Sequence, residues 1–301
     1  MRALIFGIDS FTGRYLAAEL ERAGYQVFGT AMQPPPGSDL LAADLRQPQT
    51  LRAALDAVRP QAVFNLAGIS FVDHPDRSAF YQINTAGVLN LLQALAEATP
   101  TPDCVLLSSS ANVYGNASPG PLDENTLFNP ISDYAASKAA MEMLARPWMD
   151  RLPIIITRPF NYTGIGQLES FLVPKIVAHF KRRDPAIELG NLEIWRDFSD
   201  VRDVAAAYRR LAQSRERGLS VNICSGRMTS IADILRQATA ITGHPIEVRS
   251  SPALARTREL RALCGSADRL RSIIGGWDPA DFENTLRWMI DAGDCPAPTT
   301  A

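Results

Sequence analysis

The sequence predicts an α/β fold in which a doubly wound parallel β-sheet is joined to a smaller, discontinuous C-terminal domain. From the N-terminus to Arg158, short aliphatic or β-branched runs alternate with amphipathic stretches, and strands that alternate with helices form parallel sheets. Beyond Arg158 this alternation gives way to a mixture of helix, turn and short strand that prolines interrupt. These two patterns predict a large first domain and a smaller second one.

Six short runs have the composition of strands that are buried in a parallel sheet. They occupy residues 3–6, 26–30, 62–66, 104–107, 154–157 and 221–223. A short further strand is expected just before Asp44. The last of the six runs is expected to return to the main sheet, which makes both domains discontinuous. The predicted dinucleotide-binding domain comprises residues 1–160 plus 197–224, and the predicted substrate domain comprises 161–196 plus 225–301.

Amphipathic periodicity predicts the helices that connect these strands. Leu16 and Leu20 lie on one face of a first helix, which ends at Gly24. Longer helical patterns span residues 80–98, 133–146 and 201–213. Pro147 is expected to end or bend the second of these, because the residue before a proline disfavours helical geometry.

The amino-acid composition is that of an ordinary globular protein, and the net charge bears on which macromolecules the protein could bind. The chain has 301 residues, a net charge of −2 and a pI near 6.0, so it has no global positive field for nucleic acid or an anionic membrane. No run of 18 apolar residues and no secretory signal is visible, so we expect a cytoplasmic protein. The four cysteines and three histidines are scattered, and no metal site is predicted.

A glycine-bearing loop joins the first predicted strand to the first predicted helix, in the segment Gly7-Ile8-Asp9-Ser10-Phe11-Thr12-Gly13. Glycine lets the backbone approach a pyrophosphate, whose charge is met by amide groups at the helix N-terminus. Ser10 stands where the usual G-x-x-G-x-x-G pattern has its middle glycine, and Asp9 adds a negative charge nearby. A turn that binds nothing is the alternative, but the place of the loop in the α/β pattern favours a dinucleotide.

The residues after the second strand bear on the choice of dinucleotide. A carboxylate at this place binds the 2′-hydroxyl of the adenosine ribose and repels a 2′-phosphate. Here the strand runs into Thr30-Ala31-Met32, which contains no acid, so NADPH is permitted and NADH is the alternative. Arg14 is the nearest candidate cation, and Asp44 is placed to meet the adenine or its ribose.

Tyr134 and Lys138 are four residues apart on a predicted helix and therefore share one face, one turn apart. A phenol has an ordinary pKa of about 10, and a nearby ammonium group favours its ionised form. The pair is therefore a candidate acid–base unit. Tyrosine and lysine also occur at this spacing by chance, so an exposed helical turn is the alternative when the pair is taken alone.

Six segments have an order and spacing that are specific as a set. They are Gly7 to Gly13, Asn65-Leu66-Ala67-Gly68, Asn84-Thr85-Ala86-Gly87, Ser108 to Gly115, Tyr134-x-x-x-Lys138 and Arg158-Pro159-Phe160-Asn161. From Arg2 to about Asp291, the chain resembles the extended short-chain dehydrogenase/reductases that act on nucleotide sugars, within the NAD-dependent epimerase/dehydratase family. The resemblance implies a Rossmann-type fold, an NAD(P)-dependent oxidoreductase and, as is usual in this family, a homodimer.

Four further stretches narrow the likeness within that family. They are residues 158–171, 196–201, 221–226 and 251–259, which resemble reductases of GDP-4-keto-6-deoxy-D-mannose. The resemblance implies reduction of the C4 keto group of a nucleotide-linked 4-keto-6-deoxyhexose, giving GDP-D-rhamnose or GDP-6-deoxy-D-talose. A nucleotide-sugar 4-epimerase with bound NAD and a non-catalytic dinucleotide-sensing protein are the alternatives. Ala111 and Asn112 stand where related dehydratases carry acidic residues, which disfavours 4,6-dehydration.

The resemblance also implies roles for individual residues. Tyr134 is the predicted proton donor, and Lys138 holds the nicotinamide ribose. Ser110, with Ser109 as the alternative, binds the substrate oxygen. The predicted cofactor contacts are Gly7, Ser10, Phe11, Thr12, Gly13, Thr30, Asp44, Leu45, Leu66, Ala67, Gly68, Asn84, Tyr134, Lys138 and Pro159. The predicted contacts to the nucleotide sugar are Ser70, Ser110, Asn161, Arg196, Arg256 and Glu259. The alternative for Arg196, Arg256 and Glu259 is that they form structural salt bridges instead of binding the substrate. For Arg196, the neighbouring acid in the sequence is Asp197.

Overall fold

A computed structural model of the chain describes residues 1–72, 74–115, 120–251 and 261–293. The strands in these ranges are β1 (Arg2–Phe6), β2 (Gln26–Ala31), β3 (Leu41–Ala42), β4 (Ala62–Asn65), β5 (Cys104–Ser108), β6 (Ile154–Pro159), β7 (Asn161–Thr163), β8 (Ala186–Leu189), β9 (Trp195–Asp200), β10 (Leu219–Ile223), β11 (Met228–Ser230), β12 (Glu247–Ser250) and β13 (Ala262–Leu263). The α-helices are α1 (Phe11–Arg22), α2 (Pro48–Val58), α3 (Arg77–Ala79), α4 (Val88–Glu97), α5 (Asp133–Ala145), α6 (Leu172–Arg182), α7 (Val201–Gln213), α8 (Ile231–Thr242), α9 (Asp268–Ile274) and α10 (Phe282–Asp291).

Seven strands form one sheet in the order β10-β6-β5-β4-β1-β2-β3. Every neighbouring pair in it is parallel. The chain builds outward from β1 to β3 and then crosses back to β4, so the strand order reverses between β1 and β4. Doubly wound sheets bind ligands in the crevice that opens at such a reversal. The predicted α/β fold of Rossmann type is confirmed.

Apolar residues cover both faces of the large sheet. One core contains Ile5 and Phe64 together with side chains of α1 and α7. The other contains Leu4 and Val63 together with side chains of α2 and α4. Successive strand residues therefore point to opposite cores, and all six residues of β6 are buried. Helices on both faces explain why these strands have continuous apolar sequences.

The C-terminal half adds two small sheets. In the first, β9 lies between β11 and β13 and also pairs with β7, and in the second, β12 pairs in parallel with β8. Helices α6, α8 and α10 enclose a third apolar core that includes Ile176, Phe198, Ile234 and Leu286. Strand β7 follows β6 directly, so the first small sheet begins at the carboxyl edge of the large one.

Strand β10 joins the large sheet beside β6, as the sequence predicts. Helix α5 ends at Ala145, and a 3₁₀ turn that contains Pro147 follows it, in agreement with the expected effect of this proline. Helix α2 is not among the predicted helices. The exact bounds of the two domains stay a prediction.

The helix predicted over residues 80–98 is confirmed, but the first half of it is not α-helical. Residues Phe80–Gly87 form a π-helix after the short α3, and the α-helical geometry resumes only with α4. The wider π turn accommodates Asn84, whose amide side chain bonds with Ile69 on a separate loop. Close packing adds a second constraint, since a Cβ atom on Gly87 would lie 2.7 Å from Cβ of Leu45.

Candidate active site

The loops after β1 and β4 meet at the crevice of the large sheet. Gly7 has a φ of +79°, which residues with a side chain rarely adopt. A Cβ atom on Gly7 would lie 2.9 Å from the amide nitrogen of Ala67 and 3.2 Å from the carbonyl carbon of Leu66. The two loops can approach this closely only because residue 7 is glycine. Three predicted cofactor residues therefore lie side by side.

Helix α1 begins directly after this turn. Its N-cap is Ser10, whose Oγ accepts a hydrogen bond from the amide of Gly13 at 3.0 Å. The amides of Phe11 and Thr12 precede that bond and have no acceptor within the helix. A Cβ atom on Gly13 would lie 2.4 Å from the carbonyl oxygen of Gly7, so the tight turn depends on this glycine as well. The first turn of α1 thus fits the pyrophosphate of a dinucleotide.

Side chains of α1 hold the strand β7. The hydroxyl groups of Thr12 and Tyr162 are 2.8 Å apart, and the rings of Phe11 and Tyr162 stack with centroids 6.1 Å apart. Arg14 donates to the carbonyl oxygen of Gly166 at 3.3 Å, so its guanidinium lies beyond β7. Phe11 and Thr12 therefore have their backbone amides, rather than their side chains, available for a cofactor.

The end of β2 is tied to the glycine loop. The carbonyl oxygen of Thr30 accepts from the amides of Gly7 and Ile8, both at 3.2 Å. Asp44 reaches this end of the sheet through β3, but Arg46 binds both of its carboxylate oxygens at distances from 2.7 to 3.1 Å. Arg46 is not among the predicted cofactor residues, because this arginine follows β3, whereas a cation for the adenosine ribose is expected after β2.

Asn84 lies beside Lys138. Its side chain accepts from the amide of Ile69 at 2.9 Å and donates to the carbonyl oxygen of Ile69 at 3.0 Å. A Cβ atom on Gly68 would lie 2.7 Å from Oδ1 of Asn84 and 3.7 Å from Nζ of Lys138. Gly68, Asn84 and Lys138 come from three separate segments and converge here. Pro159, the last residue of β6, is buried at the same carboxyl edge of the sheet.

Tyr134 and Lys138 lie on the first two turns of α5. Ser132 caps this helix by accepting from the amide of Ala135 at 3.2 Å. Only 7% of Tyr134 and 8% of Lys138 are exposed, which excludes the alternative of an exposed helical turn. Nζ of Lys138 donates to the carbonyl oxygen of Ser108 at 2.8 Å, so the ammonium group lies at the end of β5.

Burial changes the proton affinity of both side chains. It raises the pKa of Tyr134 to about 12, while the nearby Ser110 hydroxyl acts in the opposite direction. Burial also lowers the pKa of Lys138 to about 8, because a charged ammonium is disfavoured away from water. The sequence predicts that Lys138 lowers the pKa of the phenol, whereas in the structure the pKa of the phenol is raised. Desolvation of the phenol outweighs the effect of its neighbours.

The neighbouring serines at the end of β5 have different surroundings. The Ser110 hydroxyl lies near enough to Tyr134 to lower the pKa of its phenol, and it accepts a hydrogen bond from the amide of Asn112 at 3.2 Å. Oγ of Ser109 donates instead to Oε1 of Glu142 at 2.6 Å, in the buried interior. The geometry therefore places Ser110, and not Ser109, beside the phenol.

A buried ion pair that the sequence does not predict lies behind this site. Glu142, one turn beyond Lys138 on α5, accepts from Nε and Nη2 of Arg158 at 2.9 and 2.7 Å. Nη1 of Arg158 donates to Tyr114, and the Tyr114 hydroxyl donates to Asn222 at 2.6 Å. The Glu142 charge favours the protonated form of Lys138. The acid four residues after Lys138 was a visible signal for this network, which ties α5 to β6 and β10.

Apart from the buried Ser110, the predicted substrate residues that the structure describes are more exposed. Ser70 and Asn161 are exposed, and Asn161 begins β7 just beyond the end of β6. Arg196 donates to the carbonyl oxygens of Trp195 at 2.9 Å and Arg261 at 3.4 Å. The other two predicted substrate residues, Arg256 and Glu259, lie outside the described residues.

Asp197 does not hold Arg196, although the two are neighbours in sequence. Successive residues of a strand point to opposite faces. The Asp197 carboxylate is fully buried and accepts from Oγ of Ser225 at 2.6 Å and from the amides of Ser225 and Gly226 at 2.8 Å. These partners are neutral, and burial raises the pKa of Asp197. The salt-bridge alternative for Arg196 with Asp197 is therefore wrong.

The described residues include neither a cluster of metal-ligating side chains nor a membrane-spanning helix. In residues 1–72, 74–115, 120–251 and 261–293, no group of three or more His, Cys, Asp or Glu side chains could hold a metal ion. No helix in this part of the chain has both the length and the apolar character to cross a membrane. Cys104, Cys224 and Cys264 are buried free thiols, and Cys295 lies outside the described residues.

Two relatives align with nearly the whole chain. GDP-6-deoxy-D-mannose reductase of Pseudomonas aeruginosa is 34% identical over 97% of this chain and 95% of its own. GDP-6-deoxy-D-talose 4-dehydrogenase of Aggregatibacter actinomycetemcomitans is 30% identical over 91% of this chain and 92% of its own. The structure of RMD from Pseudomonas aeruginosa complexed with NADPH is similar with a TM-score of 0.84 and 31% identity, over 96% of each chain.

Residues 3–224 match the NAD dependent epimerase/dehydratase family. This range contains the glycine loop, both serines at the end of β5 and the Tyr134–Lys138 pair. The chain therefore belongs to this family. It is an NAD(P)-dependent oxidoreductase of the extended short-chain dehydrogenase/reductase type, which confirms the resemblance seen in the sequence.

Proposed function

We propose that this protein reduces the C4 keto group of a nucleotide-linked 4-keto-6-deoxyhexose. The proposed substrate is GDP-4-keto-6-deoxy-D-mannose, and the product is GDP-D-rhamnose or its C4 epimer GDP-6-deoxy-D-talose. The names of the two relatives support a GDP-deoxyhexose. The observation that carries the proposal is the convergence of Ser110, Tyr134 and Lys138 at the carboxyl edge of the sheet, beside a glycine cradle.

We propose NADPH as the cofactor, with NADH as the alternative. The backbone at Gly7, Gly13 and the first turn of α1 would hold its pyrophosphate. Lys138 and Asn84 lie next to Gly68 and would hold the nicotinamide ribose. The relative solved with NADPH and the lack of an acid directly after β2 support this choice.

In the proposed reaction, Tyr134 donates the proton that the carbonyl oxygen gains as C4 accepts hydride. When bound, NADPH supplies that hydride. A phenol with a pKa near 12 keeps its proton until negative charge develops on the substrate oxygen. The Ser110 hydroxyl, which lies beside the phenol, would stabilise that charge. Protonated Lys138 adds a positive charge within the buried site, where electrostatic effects are stronger than in water.

The proposal separates this enzyme from dehydratases that share the fold. Elimination of water across C5 and C6 needs a general base and a general acid at that edge of the sugar. Ala111 is buried and apolar, and Asn112 has no titratable group. We therefore propose that the enzyme acts only at C4 and depends on a separate dehydratase for its substrate.

We also propose that the enzyme is a cytoplasmic homodimer, as the sequence analysis expects. Met143 is 63% exposed and Leu144 is 40% exposed, and both lie on α5. Adjacent exposed apolar side chains on a helix are suited to a protein interface. Light scattering on the purified protein tests the dimer, and Met143→Glu should shift it toward the monomer.

The proposed function is tested by incubating the protein with a panel of 4-keto-6-deoxy sugar nucleotides and following NADPH absorbance. We expect stoichiometric oxidation with the GDP-linked substrate and a product two mass units heavier. A 4-epimerase would interconvert sugar nucleotides without net loss of NADPH. A dinucleotide-sensing protein would bind the cofactor and give no turnover. Either of these results would contradict the proposal.

A further inference from the structure

A cleft of about 270 Å³ lies beyond the carboxyl ends of β2 and β3. The two strands pair at Thr30 with Leu41 and at Ala31 with Ala42. The segment that leaves β3 therefore runs beside the segment that leaves β2. In a dinucleotide-binding sheet, this edge is where the adenosine ribose lies when the pyrophosphate is at the N-terminus of α1.

One ion pair lies in this cleft. Nε of Arg46 is 3.0 and 3.1 Å from the two oxygens of Asp44, and Nη2 is 2.7 Å from Oδ2. The Arg46 side chain is 49% exposed, whereas that of Asp44 is 11% exposed. The hydrogen bond from Arg46 lowers the pKa of Asp44, so this carboxylate stays ionised. The more deeply placed acid thus holds the guanidinium in a fixed position nearer the solvent.

The orientation of the pair decides which charge a ligand meets first. Both oxygens of Asp44 are already bonded with Arg46, and its amide donates to Oγ1 of Thr50 at 3.0 Å. Arg46 uses Nε and Nη2 for Asp44, which leaves the two N–H groups of Nη1 for another acceptor. Nη2 is also 3.6 Å from Sδ of Met32, the first residue beyond β2. The guanidinium therefore lies against the end of β2, where the sequence shows no arginine.

The other residues that line this cleft carry no charge. They are Met32, Gln33, Ala42, Ala43, Gln47 and Thr50. A ribose 2′-hydroxyl would find no free carboxylate there, because Asp44 is occupied. A 2′-phosphate would find a preorganised guanidinium, whose donor geometry suits phosphate.

We propose that Arg46 forms the subsite for the 2′-phosphate of NADPH and determines the preference for NADPH over NADH. Asp44 is then a positioning residue that orients Arg46, rather than a contact to the ribose. This inference rests on the proposed function for the choice of dinucleotide. It goes further by assigning the preference for NADPH over NADH to one side chain, Arg46, in the loop that follows β3.

The test is calorimetric titration of the full chain with NADPH and with NADH. The variants are Arg46→Gln, Arg46→Lys and the control Arg52→Gln. Arg52 is an arginine of α2 that is 52% exposed and pairs with Glu97, away from the cleft lining. We expect Arg46→Gln to weaken NADPH binding by about tenfold or more and to change NADH binding less than about twofold. Arg46→Lys should lose less, because it keeps the charge without the fork of donors.

Two results with Arg46→Gln would overturn the inference. In the first, the variant binds NADPH and NADH more weakly by the same factor. In the second, the variant binds NADPH as tightly as the wild-type protein does. In the second case NADPH still binds to the wild-type protein, so the proposed function would stand without the subsite. A wild-type protein that prefers NADH by tenfold would also overturn it. A wild-type protein that binds neither dinucleotide would contradict the proposed function itself.

Discussion

The cofactor side and the substrate side of the candidate site differ in how they are built. On the cofactor side, glycine backbone, helix amides and buried side chains such as Tyr134 and Lys138 are held in place by close packing. On the substrate side, Ser70 and Asn161 are exposed. A preorganised group contributes to the chemical step, whereas an exposed side chain is ordered when ligand binds. Changes on the first side should therefore alter kcat, and changes on the second should alter KM.

The same contrast appears in two buried carboxylates. Glu142, behind the cofactor side, is paired with the guanidinium of Arg158, and neither side chain is more than 2% exposed. Asp197, in the small sheet, accepts only from neutral donors among the bonds described, and burial raises its pKa. The first carboxylate depends on an opposite charge and the second on dipoles. Loss of the first should leave an uncompensated cation.

The largest expected effect is on the chemical step. Tyr134→Phe removes only the transferable proton, so kcat should fall by about 10² to 10⁴ while the Kd for NADPH changes less than about twofold. Steady-state kinetics and calorimetry measure both quantities. Retention of more than about a tenth of the wild-type kcat would show that Tyr134 is not the acid.

The second effect concerns stability and compares the two carboxylates directly. Glu142→Gln should lower the free energy of unfolding by about 3 to 5 kcal/mol, because Arg158 stays buried without its partner. Asp197→Asn keeps one acceptor oxygen and should cost about 1 to 3 kcal/mol. Urea unfolding of both variants at pH 7 gives the comparison. Equal losses, or a larger loss at Asp197, would contradict the proposed difference between the two sites.

The pH dependence of the cofactor side should report Lys138. Its pKa is lowered to about 8, so the ammonium is charged below that pH and loses its proton above it, while Tyr134, with a pKa of about 12, stays protonated. We expect kcat/KM for NADPH to be flat below about pH 8 and to fall about tenfold per pH unit above it. Lys138→Arg, which stays charged, should lack this decline. An unchanged decline in that variant would assign the titration to another group.

The smallest expected effect lies on the substrate side. Arg196→Ala should raise KM for the sugar nucleotide by about tenfold with kcat within about twofold, as for loss of binding that ground state and transition state share. Arg249→Ala is the matched control, because Arg249 is 59% exposed and pairs with Glu247 on β12. An unchanged KM together with a lower melting temperature would show that Arg196 is structural.

The sequence predicted those parts of the molecule that depend on local backbone constraints. The alternation of strands and helices, the turn at Gly7 and the helical spacing of Tyr134 and Lys138 are all local patterns. The features that it missed depend on contacts between distant segments. Arg46 reaches the end of β2 only through the pairing of β3, and Arg158 meets Glu142 only when β6 packs against α5.

The π-helix over Phe80–Gly87 shows the same limit. Its residues have ordinary helical periodicity, and the wider turn is linked to the bonds of Asn84 with Ile69, which belongs to a different loop. The choice between Ser109 and Ser110 was open for the same reason. Neighbouring serines on a strand end are alike in sequence, and only the position of Glu142 in the fold distinguishes them.

The central claim is that the enzyme transfers a hydride to C4 of the sugar and does not return it. The most direct measurement uses GDP-4-keto-6-deoxy-D-mannose and NADPH that carries deuterium at both C4 positions of the dihydronicotinamide, so that either face transfers the label. We predict one deuterium at C4 of the hexose and one NADP⁺ formed per product molecule, and Tyr134→Phe should slow the formation of both by about 10² to 10⁴. Conversion of sugar nucleotides without consumption of NADPH, or deuterium at any other carbon of the hexose, would contradict the claim.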